Sequence, residues 1–465
     1  MRVYRQADDT FLAGLAAIVG KENVLTDRKS VEQYKTDEET DPSKFHIPEA
    51  VVSPASAEEV AAIVRLANEA EVPITVRSAG TSLSDGAIPV CGGIVLLMSR
   101  MNKILHVDPE AMYMTVEAGA LVKECQAEAQ QYGLLYAGDP CSADSCLIGG
   151  NLATNAGGNK AVRYGTTRDQ VYAMEVVSPA GEILHVGARL KKKTTGYCLE
   201  QLILGSEGTL GIITKATLRL QPLPPYRFDV LAVFDTVQKA TALVPKVIKA
   251  GLNPTSIEFM DNSFVRSTAA FCEMQAPYLE DGNYVYVTVE TFQEEQLDAG
   301  MEKLTELCEE AGAMDVLEAD ERLWNLRRNC QESLRLLSEV TITDDFVVPV
   351  DKVAEAIDYV KGMGERYPFE VMVLAHAGDG NLHVCMCRKN LTDAEWNEQV
   401  ERFHQEAYPY IYDLGGRLSG EHGIGAKKLH YMETYTEPAE LEYMRLIKKA
   451  VDPKMILNPG KIFNV

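Results

Sequence analysis

The chain has 465 residues, more than a single hydrophobic core usually organises, so two or three domains are expected. Hydrophobic residues make up 46% of it and charged residues 24%, as in ordinary globular proteins. With 45 basic against 68 acidic residues, the net charge of −23 argues against nucleic-acid binding and against docking on an anionic membrane face.

The sequence also lacks the usual signs of a membrane-spanning or secreted protein. No apolar run approaches the ~18 residues that cross a bilayer, and the first residues, MRVYRQADDTFLAGL, carry acids where a signal peptide is apolar. Its ten cysteines form no CxxC pair, which favours reduced thiols and argues against an iron–sulfur cluster. We therefore expect a cytoplasmic protein, and any electrons that it moves must leave through a separate carrier.

In the first half of the chain, short β-rich runs alternate with helical patterns. Ser56-Ala-Glu-Glu59 predicts a capping box, and Val60, Ile63, Val64 and Ala67 follow it at helical spacing. Strands are predicted at 74–77, 94–98, 173–178, 182–186 and 212–220.

The segment Gln221-Pro-Leu-Pro-Pro225 predicts a domain boundary. Beyond it, strands and helices alternate in a pattern that indicates an α+β domain with an antiparallel sheet of the ferredoxin-like kind. Strands are predicted at 230–234, 256–260, 284–289, 346–350 and 370–375, and helices at 237–250, 294–311 and 353–366. A helical piece follows, and the chain closes with the segment Asn458-Pro459-Gly460-Lys461.

Two glycine-rich segments, 77–86 and 149–158, have the properties of a phosphate cradle. Neither fits GxGxxG or GxxxxGK[ST], so a Rossmann or P-loop site is not expected. Glycines nevertheless let backbone N–H groups approach a pyrophosphate, and Ser and Thr hydroxyls add donors. Taken one at a time, both segments could equally be ordinary surface turns.

Two further motifs concentrate histidines in glycine-rich turns. His376 ends an apolar strand, Gly378-Asp-Gly380 makes a tight turn, and His383 begins the next strand, so that both imidazoles reach one end of a sheet. Glu421 and His422 lie in a second, glycine-flanked loop.

Two imidazoles and a carboxylate with open positions suit a catalytic Zn²⁺, Fe²⁺ or Mn²⁺ ion. A lone histidine is more often structural, and we interpret His430 in that way. The clustering of His376, His383 and His422 in two such turns favours a functional site.

Together the motifs resemble those of FAD-binding oxidoreductases of the vanillyl-alcohol oxidase type, in the branch of D-lactate, glycolate and D-2-hydroxyglutarate dehydrogenases. The matching segments are VRSAGTSLSDGA (76–87), GDPCSADSCLIGGNLATNAGG (138–158), GYCLEQLILGSEGTLGIITKATLRL (196–220), HAGDGNLH (376–383), SGEHGIG (419–425) and ILNPGKIF (456–463). The resemblance implies an α+β protein with a two-subdomain FAD-binding domain at 1–225. It also implies an antiparallel-sheet substrate-capping domain at 226–420 and a C-terminal segment, 421–465, that returns to the FAD domain.

The resemblance also implies which residues hold FAD: the two glycine-rich loops at the pyrophosphate, residues 207–213 along the adenosine, and the C-terminal segment near the flavin. The residues are Arg77, Ser78, Ala79, Gly80, Thr81, Ser82, Pro140, Ser142, Gly149, Gly150, Asn155, Ala156, Gly157, Gly158, Glu207, Gly208, Ile213 and Asn458. Some relatives attach the flavin to a histidine in the first loop or to a cysteine where this chain has Ser145; lacking both, the chain is expected to bind FAD non-covalently. Asp85 replaces a glycine of the relatives, and we expect it to face solvent or cap a turn.

By the same resemblance, His376, His383 and Glu421 are the metal ligands and His422 is the general base. The metal would hold the carboxylate and hydroxyl of the substrate, and the hydrogen on carbon would leave as hydride to the flavin N5. Asp379 and Asn381 would support the ligand histidines. Arg327 would bind the substrate carboxylate, whereas Arg328 is interpreted as a solvated helix charge.

Departures from relatives that act on 2-hydroxyglutarate indicate a smaller substrate. Where those relatives carry a threonine, a lysine and an asparagine, this chain has Gln331, Thr343 and Cys385, so that a second carboxylate would lack a cation. We therefore expect oxidation of a short D-2-hydroxy acid, D-lactate to pyruvate first, with glycolate or D-2-hydroxyglutarate as alternatives.

The electron acceptor is expected to be a soluble redox protein, electron-transferring flavoprotein first. An oxidase that uses O₂ is a further alternative that the sequence leaves open. A non-catalytic FAD subunit would not need the histidine motifs, and a metal hydrolase would not need the flavin loops.

Overall fold

The computed structural model describes residues 3–464. By its contacts the chain divides into two compact units, which are described separately below. The first comprises Met1–Gly157, Gly165–Leu223 and Glu421–Val465, and the second comprises Gly158–Tyr164 and Pro224–Gly420. Among residues 3–464, none of the helices combines the length and the apolar character that a bilayer-spanning segment needs.

Between residues 3 and 223 the structure has eleven strands and seven α-helices, all but α6 in the first unit. In chain order these are α1 (Asp9–Val19), β1 (Val24–Leu25), α2 (Arg28–Val31), β2 (Ala50–Val52), α3 (Ala57–Ala70), β3 (Ile74–Arg77), β4 (Ile94–Leu97), β5 (Ile104–Asp108), β6 (Tyr113–Glu117), α4 (Val122–Gln130), β7 (Leu134–Leu135), α5 (Ile148–Thr154), α6 (Ala161–Tyr164), β8 (Val171–Val177), β9 (Ile183–Gly187), α7 (Leu199–Ile203), β10 (Ile212–Arg219) and β11 (Gln221–Pro222).

The first unit contains two principal sheets. One has the order β1-β2-β4-β3, in which β4 runs parallel to both β2 and β3. Helix α3 forms the crossover between β2 and β3 and buries the stripe Val60, Ile63, Val64 and Ala67 in the core of this subdomain. The other sheet is antiparallel, with the order β5-β6-β10-β8-β9.

The capping box predicted for α3 forms only in part. The Ser56 hydroxyl accepts the Glu59 N–H at 3.2 Å, as expected. In a complete capping box the Glu59 carboxylate would accept the N–H of Ser56. Here it accepts instead the N–H of Ala55, the residue before the N-cap, at 2.7 Å.

The second unit is built on a single large sheet. Its elements after residue 223 are β12 (Tyr226–Phe234), α8 (Val237–Lys249), β13 (Ser256–Met260), α9 (Asn262–Phe271), β14 (Asn283–Thr291), α10 (Glu295–Glu310), β15 (Asp315–Glu318), α11 (Glu321–Arg328), α12 (Cys330–Ser333), β16 (Thr341–Val347), α13 (Val353–Gly364), β17 (Glu370–His376), β18 (Asn381–Cys387) and α14 (Asp393–Asp413). The seven strands run antiparallel in the order β15-β12-β14-β13-β17-β18-β16.

The C-terminal segment of the first unit adds α15 (Leu429–Tyr435) and α16 (Pro438–Val451). His430, interpreted above as a structural residue, lies within α15. The predicted α+β class, with an antiparallel sheet beyond residue 223, is confirmed.

The register of the second sheet places several polar residues on one face. Glu258 is paired with His376, His376 with Asn381, and His383 with Asp345. Directly paired residues of an antiparallel sheet point to the same face, and so do residues two apart along a strand. A row of carboxylates, imidazoles and one amide therefore runs across β13, β17, β18 and β16.

Candidate functional site

The two histidines of the HAGDGNLH motif lie side by side in the second unit. His376 ends β17 and His383 lies on β18, two residues after the strand begins at Asn381. Their ring centroids are 5.3 Å apart with the rings at 84°, and both side chains are buried. As the sequence predicts, the tight turn 377–380 brings the two imidazoles together at one end of the sheet.

A buried carboxylate backs the first of these imidazoles. Glu258 on β13 lies 2.9 Å (Oε1) and 2.8 Å (Oε2) from His376 Nδ1. Arg327 at the end of α11 donates to Glu258 Oε2 from Nη2 at 2.6 Å and from Nε at 3.1 Å. Burial by itself raises the pKa of Glu258, but the charges and hydrogen bonds of His376 and Arg327 outweigh it and lower that pKa below its usual range.

The structure shows a protein partner of Arg327 that the sequence did not predict. The sequence predicted a ligand of the substrate carboxylate, whereas two donor atoms of the guanidinium here engage Glu258. Arg328 is half-exposed and pairs with Glu321, as a surface helix charge does. Glu258 was missed by the sequence analysis, although a carboxylate in the middle of the apolar strand Ser256-Ile-Glu-Phe-Met260 is a signal that could have found it.

A second carboxylate, Asp345 on β16, organises the surroundings of His383. Its Oδ1 lies 3.8 Å from His383 Nδ1 and accepts the Asn381 side-chain amide at 2.7 Å. Its Oδ2 accepts the Ser419 hydroxyl at 2.6 Å and the Gly420 N–H at 3.0 Å. Asp345 therefore fixes Asn381 and the start of the SGEHGIG segment to the sheet, and the sequence analysis missed it too.

The three residues that the sequence analysis compared with 2-hydroxyglutarate enzymes form one hydrogen-bonded row. Gln331 Nε2 donates to Thr343 Oγ1 at 3.1 Å, and Thr343 Oγ1 lies 3.3 Å from Cys385 Sγ. Thr343 and Cys385 are directly paired across β16 and β18. None of the three carries a positive charge, and burial raises the pKa of the Cys385 thiol, which keeps it neutral.

In the first unit, the two glycine-rich segments lie next to each other. A Cβ added to Gly150 would lie only 3.3 Å from the Cβ of Ser78. A side chain at position 150 would therefore press against the first segment, and glycine lets the two segments lie close together. Arg77 is buried and donates to the Thr36 carbonyl at 2.7 Å. Asn155, in the left-handed region at φ 53°, accepts the Thr166 hydroxyl and the Arg168 N–H. The side chains of Arg77 and Asn155 therefore stabilise the two loops through hydrogen bonds to neighbouring segments of the protein.

The remaining predicted cofactor residues lie around these segments. Ala79, Gly80, Thr81 and Ser82 continue the first loop after β3, and Ser82 Oγ accepts the Gly86 N–H. Pro140 and Ser142 form the turns before α5, since their carbonyls accept from Ala143 and Cys146. Gly149 belongs to α5 itself, Ala156 and Gly157 follow it, and Gly158 falls in the second unit.

The segment that carries Glu421 and His422 is held in the first unit by Glu207. This buried carboxylate accepts the N–H groups of Ile424 at 2.8 Å and Gly425 at 2.7 Å. Ser84 of the first glycine-rich segment donates to the His422 carbonyl at 2.9 Å. A Cβ on Gly157 would lie 2.7 Å from Glu421 Oε2, so this glycine leaves room for the carboxylate. The first unit thus gathers Glu421, His422 and both glycine-rich segments in one place.

The other residues predicted near the adenosine and flavin lie beside Glu207. Asn458 donates from Nδ2 to the Glu207 carbonyl at 2.6 Å, and its N–H donates to Ile74 of β3 at 2.7 Å. Gly208 has a positive φ of 72°, and Ile213 is buried in the core beneath the five-stranded sheet. The Glu207 side chain therefore holds a loop, a role that the sequence analysis did not assign to it.

Asp85 does not behave as expected. It was expected to face solvent or cap a turn, but it is buried, with φ at 61° and with Oδ1 lacking a hydrogen-bond partner among residues 3–464. Its own carbonyl accepts from the ammonium of Lys461 at 2.7 Å, which holds the loop inward. Burial raises the pKa of Asp85 to about 6, against the opposing charges of Lys44 and Lys427.

The ten cysteines are all free thiols, as predicted, and no cysteine within residues 3–464 belongs to a cluster of potential metal ligands.

Comparisons with known proteins agree with this architecture. Residues 48–187 match the FAD binding domain, and residues 223–462 match the C-terminal domain of FAD linked oxidases. The chain is 39% identical to D-lactate dehydrogenase of Anaerostipes hadrus, over 89% of each chain. It is 34% identical to glycolate oxidase subunit GlcD of Bacillus subtilis, over 91% of this chain and 90% of that protein.

D-2-hydroxyglutarate dehydrogenase of Stutzerimonas stutzeri is 32% identical, over 98% of this chain and 99% of that protein. Among solved structures, p-cresol methylhydroxylase has the same fold, with a TM-score of 0.82 over 98% of this chain and 97% of that chain at 19% identity. The chain therefore belongs to the FAD-linked oxidases, a family of FAD-binding oxidoreductases.

Proposed function

We propose that this flavoenzyme is a dehydrogenase that oxidises a small D-2-hydroxy acid, D-lactate to pyruvate, at a metal-assisted site. The observation that carries the proposal is the pair of buried imidazoles, His376 and His383, with ring centroids 5.3 Å apart. A chain that only bound FAD would have no need of such a pair. The similarity to D-lactate dehydrogenase of Anaerostipes hadrus supports D-lactate as the substrate.

The first unit fits a non-covalent FAD. Gly150 lets the second glycine-rich segment lie against Ser78 of the first, and glycine-rich loops of this kind are typical of pyrophosphate sites. Bound FAD supplies the hydride acceptor, which no side chain can provide.

The donors also fit one divalent metal, Zn²⁺, Fe²⁺ or Mn²⁺, held by His376, His383 and Glu421. Imidazole nitrogens and a carboxylate oxygen are the ligand set that these ions accept in catalytic sites. Glu421 follows directly after Gly420, whose N–H is fixed to Asp345 next to His383. A bound metal supplies a Lewis acid that lowers the pKa of the substrate hydroxyl.

His422 is the general base in this proposal. It is the residue after Glu421, and its carbonyl is fixed by Ser84, so the backbone from which its ring projects is anchored. An imidazole titrates near neutral pH and can take the proton of the substrate hydroxyl.

Arg327 is proposed to provide positive charge for the substrate carboxylate. Its guanidinium is held by Glu258, the same carboxylate that lies beside His376 Nδ1, so its positive charge stays close to the histidine pair. Asn381, fixed by Asp345, and Asp379, whose Oδ1 accepts the Asn381 N–H at 3.2 Å, are proposed to hold the turn between the two histidines.

The row Gln331, Thr343 and Cys385 favours a short substrate. A second carboxylate placed against this row would meet no cation among the three, and an unpaired charge is costly to desolvate. Glycolate, which also has one carboxylate, is the second candidate for the same reason, and the name of the Bacillus subtilis relative favours it.

We further propose that the electrons leave to a separate redox protein, electron-transferring flavoprotein first. This proposal is supported by the cysteines among residues 3–464, none of which lies in a cluster of potential metal ligands of the kind that holds an iron–sulfur centre.

The proposal is tested by mixing the FAD-loaded protein anaerobically with D-lactate, L-lactate, glycolate and D-2-hydroxyglutarate. We expect D-lactate to bleach the flavin fastest. D-2-hydroxyglutarate should be slower by about ten- to a hundred-fold, because a charged hydrogen bond is worth roughly 1.5–3 kcal/mol. A preference for the dicarboxylate would overturn the substrate assignment, and bleaching by none of the four would overturn the activity.

A further inference from the structure

We infer that Glu258, held in place by Arg327, is a positioning residue that orients His376 for metal binding. This inference rests on the metal site in the proposed function and adds two residues to it. It starts from the register of the sheet, because β13 and β17 place Glu258 directly opposite His376.

The contacts around Glu258 select one nitrogen of His376 as the metal ligand. The carboxylate lies within 2.9 Å of Nδ1, so a neutral imidazole carries its proton on Nδ1 and donates a hydrogen bond from there to Glu258. The lone pair then resides on Nε2, on the opposite side of the ring. This is the arrangement in which a carboxylate fixes the tautomer and the ring plane of a histidine that binds a metal.

Arg327 holds the Glu258 carboxylate in its place beside His376. Glu258, His376 and Arg327 are all buried, and the guanidinium meets Glu258 Oε2 with two donor atoms. An uncompensated charge at that depth would be strongly destabilising, whereas a paired one is tolerated. The two-donor contact with Arg327 therefore fixes the carboxylate that faces His376 Nδ1.

The partner of His383 differs. Asp345 lies 3.8 Å from His383 Nδ1 and makes its short hydrogen bonds with Asn381, Ser419 and Gly420 instead. Asp345 thus lies farther from His383 Nδ1 than Glu258 lies from His376 Nδ1, and the loss of Glu258 should weaken the ligand His376.

The same sheet offers a matched control on its other face. Asp344 is a buried carboxylate that lies 2.7 Å from His404 Nε2 on α14 and accepts the Tyr408 hydroxyl at 3.0 Å. Asp344→Asn removes the charge from a buried carboxylate–histidine pair, as Glu258→Gln does, but away from the row that carries His376 and His383.

The test measures zinc affinity by competition with a chromophoric chelator, for FAD-loaded wild type, Glu258→Gln and Asp344→Asn. We expect wild type to bind one Zn²⁺ and Glu258→Gln to bind it about 10- to 100-fold more weakly, with the flavin content unchanged. Asp344→Asn should lower the melting temperature and leave the zinc affinity as in wild type.

The outcomes separate the two proposals. If wild type binds zinc and a folded Glu258→Gln binds it equally well, the positioning role is wrong while the metal site stands. If wild type binds none of Zn²⁺, Fe²⁺ and Mn²⁺, the metal site itself is wrong, and this inference falls with it. Should Glu258→Gln not fold, Arg327→Lys replaces it. This variant loses the two-donor contact, and unchanged zinc affinity in it would equally contradict the role.

Discussion

Two buried carboxylates, one in each unit, show how differently burial can act. Glu258 on β13 of the second unit has His376 and Arg327 as partners, and its pKa lies below the usual range. Asp85 in the first glycine-rich segment has an Oδ1 with no hydrogen-bond partner in the described part of the chain, and burial raises its pKa to about 6.

The difference lies in the elements that carry the two residues. A strand inside a sheet sets its neighbours by register, so Glu258 meets an imidazole at a fixed position. Asp85 lies in a loop at φ 61°, where the backbone is constrained and the side chain has no such assigned neighbour. Glu258 on its strand is therefore stabilised in the ionised form, whereas Asp85 in its loop is costly to ionise.

If the strand-mounted site is the functional one, removal of its imidazoles should have the largest effect. We expect His376→Ala and His383→Ala to abolish flavin reduction by D-lactate while FAD remains bound, because the metal that would activate the hydroxyl loses a ligand. His404→Ala removes another buried histidine of the same unit and should cost stability while leaving flavin reduction intact. Stopped-flow absorbance gives the rates, and an active His383→Ala would contradict the assignment.

His422→Gln should give the next largest effect. Since Ser84 holds the backbone carbonyl of residue 422, the substitution should leave the loop in place and remove only the base. We expect the rate of flavin reduction to fall by about 10²- to 10⁴-fold with bound zinc and FAD unchanged. A fall in zinc content alongside the rate would instead make His422 a metal ligand.

Glu207 represents an intermediate case, a buried carboxylate whose partners are the backbone N–H groups of Ile424 and Gly425. Glu207→Gln would turn an amide N–H₂ toward one of these donors, and we expect a loss of about 1.5–3 kcal/mol in stability. A fluorescence melting curve would show this as a lower melting temperature. The exposed Glu321→Gln is the control and should melt as wild type.

The smallest effect is expected for Asp85→Asn. The pKa of Asp85 is about 6 in the folded protein against 3.8 ordinarily, so its contribution to stability is fully present below pH 3.8 and is lost as pH rises through 6. Asparagine tolerates the left-handed conformation and carries no charge. We expect Asp85→Asn to melt a few degrees higher than wild type at pH 8 and to lose about half of this gain at pH 5, where residue 85 is protonated in the folded wild type but ionised in the unfolded chain. An equal gain at both values would exclude the charge as the cause.

The sequence predicted much of the fold, because the relevant signals are local. The apolar spacing of α3, α8 and α13 and the β-rich runs of β13 and β17 are visible in short windows. The order of the seven strands is not, because it depends on pairings between distant segments. The grouping of 158–164 with the second unit has the same origin, since Arg163 donates to Glu290 at 2.8 Å.

Within the candidate site, the predicted histidine pair followed from the tight turn between adjacent strands. The carboxylates that support it did not, since Glu258 lies 118 positions from His376 in the chain and only register brings the two together. The inward position of Asp85 was mispredicted for a related reason, because Lys461, 376 positions away, draws its carbonyl inward.

Metal removal tests the proposed chemistry at its decisive point. The FAD-loaded protein would be treated with a strong chelator, mixed anaerobically with D-lactate, and then supplied with Zn²⁺ or Mn²⁺. We expect the untreated protein to lose its flavin absorbance rapidly, the stripped protein to stay oxidised, and one of the two ions to restore the reaction. Reduction of the stripped protein at the untreated rate would show that His376, His383 and Glu421 hold no catalytic metal.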